Sequence, residues 1–130
     1  MAIARPLVPN TFTGTCPVGL SIGDVVYVSG PSRAVQRVDI TDRTRVAAVG
    51  VIIRKTGTSC VVQTRGILPA FYGAALLPGG MHFVSTAGRP TGVIPVGSPG
   101  TPRWVVVIGK ALDSDVLDFN VTTITGTGSP

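Results

Sequence analysis

Hydrophobic residues in this chain fall into short runs separated by turn formers, the signature of strands rather than helices. Asp24–Ser29 is β-rich and closes at Gly30-Pro31. Ala47–Arg54 ends at Lys55-Thr56-Gly57-Thr58, a hairpin-like turn. Ser59–Arg65 then returns, with Cys60, Val62 and Thr64 alternating onto one face. Met81–Ser85 opens after Pro78-Gly79-Gly80 and ends at Ala87-Gly88, and Thr91–Val96 lies between Pro90 and Gly97-Ser98-Pro99-Gly100. Trp104–Leu112 turns at Asp113-Ser114-Asp115 into Val116–Val121. Only Phe71–Leu77 has the makings of a helical turn. Strands at this spacing predict an all-β fold, a small β-barrel or β-sandwich.

The strands also repeat. Ile22-Gly23-Asp24-Val25-Val26-Tyr27-Val28-Ser29 aligns with Pro78-Gly79-Gly80-Met81-His82-Phe83-Val84-Ser85. Further on, Val49-Gly50-Val51 matches Ile108-Gly109-Lys110, and Val61-Val62-Gln63-Thr64 matches Val116-Leu117-Asp118-Phe119. Strand order is kept while loops change length. The expectation is a β-domain over residues 20–121 built from half-repeats at about 20–66 and 77–121, each needing the other to cover an apolar sheet face. Residues 1–19 hold Pro6, Pro9 and Pro17 and no clean period, which predicts an extended N-terminal arm. Its apolar residues Ile3, Leu7, Val8 and Phe12 suggest docking on a neighbouring subunit. Residues 122–130, rich in Thr, Gly and Ser, are expected to form a flexible tail.

Composition strengthens the β reading. Of 130 residues, Val, Ile and Thr supply 20, 9 and 15, Gly and Pro 17 and 11, and Glu is absent, so good helix formers are scarce. No apolar run approaches the length of a bilayer span, and Pro6 and Pro9 interrupt any signal-peptide core. Cys16 and Cys60 are accordingly expected as two reduced thiols, although spacing alone leaves a disulfide between them open.

Candidate chemistry is thin. The chain has one histidine, His82, set within a strand pattern beside Phe83, where a hydrogen-bonded or solvent-facing residue is the simpler expectation than a general base. All six carboxylates are Asp. The run Asp113-Ser114-Asp115-Val116-Leu117-Asp118 lacks the glycine and distal glutamate of a calcium loop, and turn capping explains it. Two cysteines and one histidine fall short of a zinc site, and no glycine-rich turn leads into a helix to cradle phosphate. Neither a metal, a cofactor nor enzymatic turnover is expected.

Charge is more informative. Eleven basic residues against six acidic ones leave a formal +5, and nine of the eleven are Arg. Arg33, Arg37, Arg43, Arg45 and Arg54, with Lys55 adjacent, fall in one stretch relieved only by Asp39 and Asp42. Arginine favours bidentate contacts to carboxylates and phosphates, so the stretch suits either a solvated face or an interface with an acidic partner. The seven aromatic residues show no basic–aromatic interleaving, which makes nucleic acid the weaker candidate partner.

One resemblance rests on the order of several phrases: Ser21-Ile22-Gly23-Asp24-Val25-Val26-Tyr27-Val28-Ser29-Gly30, Asp39-Ile40-Thr41-Asp42, Ala48-Val49-Gly50-Val51 and Cys60-Val61-Val62-Gln63-Thr64-Arg65-Gly66, then Leu77-Pro78-Gly79-Gly80, Phe83-Val84-Ser85-Thr86-Ala87-Gly88, Val107-Ile108-Gly109-Lys110-Ala111 and Val116-Leu117-Asp118-Phe119. In this order, over about Leu20–Val121, the chain resembles the capsid decoration (cement) proteins of tailed bacteriophages and related head-fibre and tail-fibre domains. The resemblance implies a compact β-barrel, often a homotrimer, made in the host bacterial cytoplasm and carried on the virion. There it would sit on the outer capsid surface and bridge major capsid subunits of the same phage, with no membrane partner. Ile3, Arg5, Leu7, Val8, Phe12, Arg33, Arg37, Arg43 and Arg45 are then the candidate contacts with capsid or neighbouring subunit. A trimeric fibre or spike module and a basic nucleic-acid-binding barrel are the alternatives.

Overall fold

A computed structural model describes residues 10–68, 76–97 and 103–127. It is all-β. The strands are β1 (Thr11–Thr15), β2 (Val25–Gly30), β3 (Ala34–Arg37), β4 (Ala48–Thr56), β5 (Ser59–Gln63), β6 (Gly66–Leu68), β7 (Met81–Val84), β8 (Pro90–Thr91), β9 (Arg103–Asp113) and β10 (Val116–Thr127), with a 3₁₀ turn at Arg43–Arg45. Strands β1 to β5 close into a barrel of order β3-β2-β4-β5-β1, sealed by the parallel bridge between Thr15 and Ala34. Strands β6 to β10 form a second sheet of order β8-β7-β9-β10-β6. The two orders are the same, strand for strand.

The match extends to the hydrogen-bond register. Val26 pairs with Gly50, and a bulge follows before Tyr27; His82 pairs with Gly109, and a bulge follows before Phe83. A second bulge separates the pairs Ile52–Val62 and Arg54–Val61, and its counterpart separates Ala111–Leu117 and Asp113–Val116. Positive φ recurs at Asn10 and Gly66, at Gly23 and Gly79, and at Ser32 and Gly88. Bulges re-aim side chains and increase local twist, so both sheets are bent at equivalent points, although only the first closes into a barrel. Each half therefore begins one strand earlier than the internal alignment suggests, at β1 and at β6, and the boundary falls between Gln63 and Gly66.

Gly50 and Gly109 show why that register holds. A Cβ on Gly50 would run into the carbonyl of Gln63, and a Cβ on Gly109 into the carbonyl of Asp118, the equivalent residue of the next strand. Gly109 also has φ +136, which disfavours any side chain. The close strand approach at both sites thus depends on the missing side chain.

Two cores follow from burial on both faces of the central strands. Val25 and Val26, and likewise Val51 and Ile52, are consecutive and fully buried, because one member of each pair points into the barrel and the other out of it. Cys16, Leu20, Val26, Val35, Ile52, Cys60 and Val62 fill the barrel. The larger core joins the halves: Val25, Val38, Ile40, Val46 and Val51 from the first half with Leu68, Leu76, Val84, Val106, Ile108, Ala111, Leu117 and Phe119 from the second. Backbone bonds reinforce the joint, from Val25 N–H to the Gly88 carbonyl and from Trp104 N–H to the Ile40 carbonyl, each 2.8 Å.

An ion triad completes it. Asp24 is 2% exposed. Its Oδ2 accepts from Ser21 N–H at 2.9 Å and from Arg37 Nε and Nη2 at 3.2 and 3.1 Å, while Oδ1 accepts from Arg89 Nη1 at 3.0 Å. Arg89 belongs to the second half, so one buried carboxylate ties the halves together. A carboxylate leaves water at low cost only when charge and hydrogen bonds replace its hydration, and the two guanidiniums supply both.

Three expectations need correction. The arm expected over 1–19 is, across Thr11–Thr15, a barrel strand paired with β5 from Thr11↔Gln63 to Thr15↔Ser59. Of the prolines that suggested an arm, Pro17 lies just beyond this strand, where a missing N–H interrupts no ladder, and Pro6 and Pro9 lie outside the described residues. The tail expected from residue 122 is, through Thr127, a continuation of β10 along the first half of β9; its run of threonines around Ile124 suits a strand edge. The strand expected over Thr91–Val96 stops at Thr91, since Gly92 and Pro95 favour neither pairing nor extension of the ladder. The helical turn expected at 71–77 lies, for residues 71–75, outside the described residues.

Gly50→Ala and Gly109→Ala should each destabilise the fold by about 3 kcal/mol through backbone collision, whereas Gly19→Ala, with open space around it, should stay within about 0.5 kcal/mol. Urea unfolding midpoints measure both. Asp24→Asn keeps the shape but removes the countercharge of two arginines, and should cost about 2–3 kcal/mol in the same assay. Arg89→Met should cost less, because Arg37 still supplies a countercharge and, with Ser21 N–H, holds Oδ2.

Candidate functional site

The basic stretch does not form one face. Arg33 lies in the β2–β3 turn with φ +57, and its carbonyl accepts from Thr15 N–H at 3.1 Å. Arg37 ends β3 and is committed to Asp24 and, through Nη2, to the Gly19 carbonyl at 3.0 Å. Arg43 and Arg45 flank the 3₁₀ turn, capped by Asp42, whose Oδ1 accepts from Thr44 N–H and Oγ1 at 2.9 and 2.7 Å. Arg45 Nε also meets Asp42 Oδ2 at 3.3 Å. The Thr44 hydrogen bonds, with Arg45 behind them, hold the Asp42 carboxyl below its usual range. Arg54 is exposed on β4, and Lys55 Nζ bonds the Val18 carbonyl at 3.3 Å.

Within this region a cleft of about 290 Å³ opens between Leu20, Gln36, Arg37, Val38, Asp39, Arg45 and Thr86. It brings together Arg37 and Arg45 of the expected set; Arg33 and Arg43 do not line it. Arg37 Nη1 and the outer nitrogens of Arg45 take no part in the contacts just described, so the cleft offers guanidinium N–H groups to a carboxylate at its mouth. Asp39 partly offsets this charge, and its Oδ1 is already bonded by Thr41. The cleft is shallowly basic. Thr86, from the β7–β8 turn, and Arg89 were invisible as parts of this region because they lie far away in sequence, and only the repeat alignment could have placed them there.

Phe12, expected to anchor an arm, instead packs half-buried against the barrel core. Ile3, Arg5, Leu7 and Val8 lie outside the described residues. Phe83 and Phe119 are buried, and Tyr27 and Trp104 pack against the joint core. Among the described residues, then, no exposed ring stands beside the arginines as a stacking platform for bases.

His82 is fully buried. Its Nδ1 meets the Gly80 carbonyl at 2.8 Å and Nε2 accepts from Leu77 N–H at 3.2 Å, so one nitrogen carries the proton and the other receives one. Both ring nitrogens are engaged in holding a turn. Among the described residues no group of three or more His, Cys, Asp or Glu gathers as metal ligands. Asp113 caps its turn, its Oδ1 accepting from Ser114 N–H at 2.7 Å.

Cys16 and Cys60 are free thiols inside the barrel. Cys60 Sγ bonds the Gly14 carbonyl at 3.6 Å. Burial, with the Cys16 thiol beside it, pushes Cys60 up to about 12 from an ordinary value of 9.0. Because the unfolded thiol ionises first, stability should fall as pH rises from about 9 towards 12, and Cys60→Ala should flatten that decline in pH-dependent urea titrations. Thiol reagents at neutral pH should label neither cysteine until the chain unfolds.

Comparison with protein-family models, with curated proteins and with solved structures returns no match for this chain.

Proposed function

We propose that the protein is a bacteriophage virion structural protein that binds the outer surface of the assembled capsid and bridges major capsid subunits. The observation that carries this reading is the cleft where Arg37 and Arg45 present guanidinium groups on a body pinned from both halves by Asp24. It is a carboxylate-seeking surface. The order of β-phrases that resembles decoration proteins points the same way. A decorator that prefers the assembled lattice to separate capsomers stabilises the shell by mass action, and many weak contacts per shell suffice. Arg37 is partly spent on Asp24, so Arg45 in the cleft carries the contact, with Arg43 exposed outside the cleft on the same 3₁₀ turn.

A fibre or spike module remains the competing reading, favoured by the exposed apolar residues Val93, Ile94 and Val96. Copy number separates the two: hundreds per particle for a decorator, a few tens at most for a fibre.

Arg43→Glu/Arg45→Glu should weaken binding to purified capsids about tenfold, or about 1.4 kcal/mol, and reduce its salt dependence. Co-sedimentation with assembled capsids across a salt series measures this. Unchanged affinity and salt slope reject the arginine contact, and absence of the protein from purified particles rejects the capsid reading as a whole.

A further inference from the structure

The two halves are one sheet made twice, yet they are not docked through equivalent surfaces. The first half presents Val25 and Val51 from β2 and β4, and Val38 and Ile40 from the segment after β3; all four are at most 1% exposed in the joint core. Ladder register makes Met81 and Lys110 the second-half counterparts of Val25 and Val51. Val93, Ile94 and Val96 follow β8 as Val38 and Ile40 follow β3. This counterpart face is open: Met81 is 47% exposed, Ile94 53%, Val93 72% and Val96 79%.

The converse holds at the other side of the joint. The second half meets the first with Val84 and Val106, both fully buried, and with the β7–β8 turn. In that turn the Gly88 carbonyl takes Val25 N–H, and Arg89 reaches Asp24 at 3.0 Å and the Ile22 carbonyl at 3.3 Å. Their first-half counterparts are Val28, Ala47 and the turn Ser32-Arg33, and every one is exposed. Ser32 even keeps the left-handed φ of Gly88, +60 against +75.

A contact between two different faces of a repeated unit is heterologous, and it leaves one copy of each face unmatched at the two ends. We propose that a second copy of this chain covers the open face of the second half. It would seat its β2–β3 turn and Val28 on Met81, Val93, Ile94 and Val96, as the β7–β8 turn and Val84 meet Val25, Val38 and Ile40 within one chain. Arg33 stands where Arg89 stands, and Pro78 where Ile22 stands. Asp24, however, has Gly80 as its counterpart. The contact between copies keeps an apolar seat at Met81, Val93, Ile94 and Val96, has the exposed Lys110 in place of Val51 and loses the carboxylate, so it is weaker than the joint within the chain and dissociable. The inference stands on the internal repeat alone and not on the capsid reading.

Analytical ultracentrifugation of the purified chain, without capsid, tests it in three arms: the parent, Ile94→Asp on the open second-half face, and Val28→Asp on the first-half face. Both positions are exposed, so folding should persist, as circular dichroism will show; Val96→Asp and Ala47→Asp provide a second pair. The parent should associate in a concentration-dependent way, and each variant alone should associate at least tenfold more weakly. An equimolar mixture of the two variants retains one intact pair of faces, and should form a two-chain species and nothing larger. A parent that stays monomeric overturns the proposal, and so does a mixture that fails to associate. Undiminished association of Val28→Asp would mean that the second-half face pairs with itself or with another surface, which also overturns it.

Discussion

The joint core that unites Val25, Ile40 and Val51 with Val84, Val106 and Ile108 is the contact on which the architecture depends. A sheet has two faces, and an isolated five-stranded sheet of this composition would expose one of them to water. The first half solves this by closing into a barrel around its own small core, which leaves the outer face of β2 and β4 to be covered. The second half covers it, and is itself covered on the face it offers. Neither half satisfies both its faces alone.

Equivalent backbones have been kept while the side chains that satisfy them have diverged. Gly23 N–H bonds the Ile52 carbonyl at 2.8 Å and Gly79 N–H the Ala111 carbonyl at 2.8 Å; Ile52 and Ala111 return bonds of 3.1 Å to Asp24 and Gly80. The turn before each of these sites leaves one N–H pointing inward, Ser21 in one half and Leu77 in the other. Asp24 caps the first at 2.9 Å, and His82 caps the second at 3.2 Å. A carboxylate serves where arginines from both halves can reach it. An imidazole, needing no countercharge, serves where none does. The single histidine of the chain thus has a structural reason to be where it is, one that follows from the asymmetry of the joint.

Much of this was legible in the sequence, because alternation and turn chemistry are local. Strands β2, β4, β5, β7, β9 and the start of β10 were visible in their apolar runs, and the repeat was visible in the glycines and valines that mark register. The short strands β1, β3, β6 and β8 were not, since two to five residues bounded by proline, glycine or arginine carry little period of their own and are held by their neighbours. The site was less legible. A run of arginines read along the chain looks like a basic face, but Arg37 turns inward to Asp24, thirteen residues earlier, and Arg45 folds back on Asp42. Charge density in sequence overestimates charge density on the surface wherever carboxylates lie within reach.

That discount bears on what kind of partner the cleft can hold. Nucleic acid binding draws most of its strength from several cations releasing counterions along a phosphate backbone. Here Asp24, Asp39 and Asp42 interleave with Arg37, Arg43, Arg45 and Arg89, leaving about one net charge in the region. A polyanion gains little from such a surface. A single carboxylate gains more, since one guanidinium with two aligned N–H groups suffices and the neighbouring aspartates hold it in orientation. The geometry therefore suits isolated acidic side chains better than it suits a continuous charged strand. Under the proposed capsid reading, the weakness of each contact is an advantage, because affinity would come from the number of sites and selectivity from their spacing.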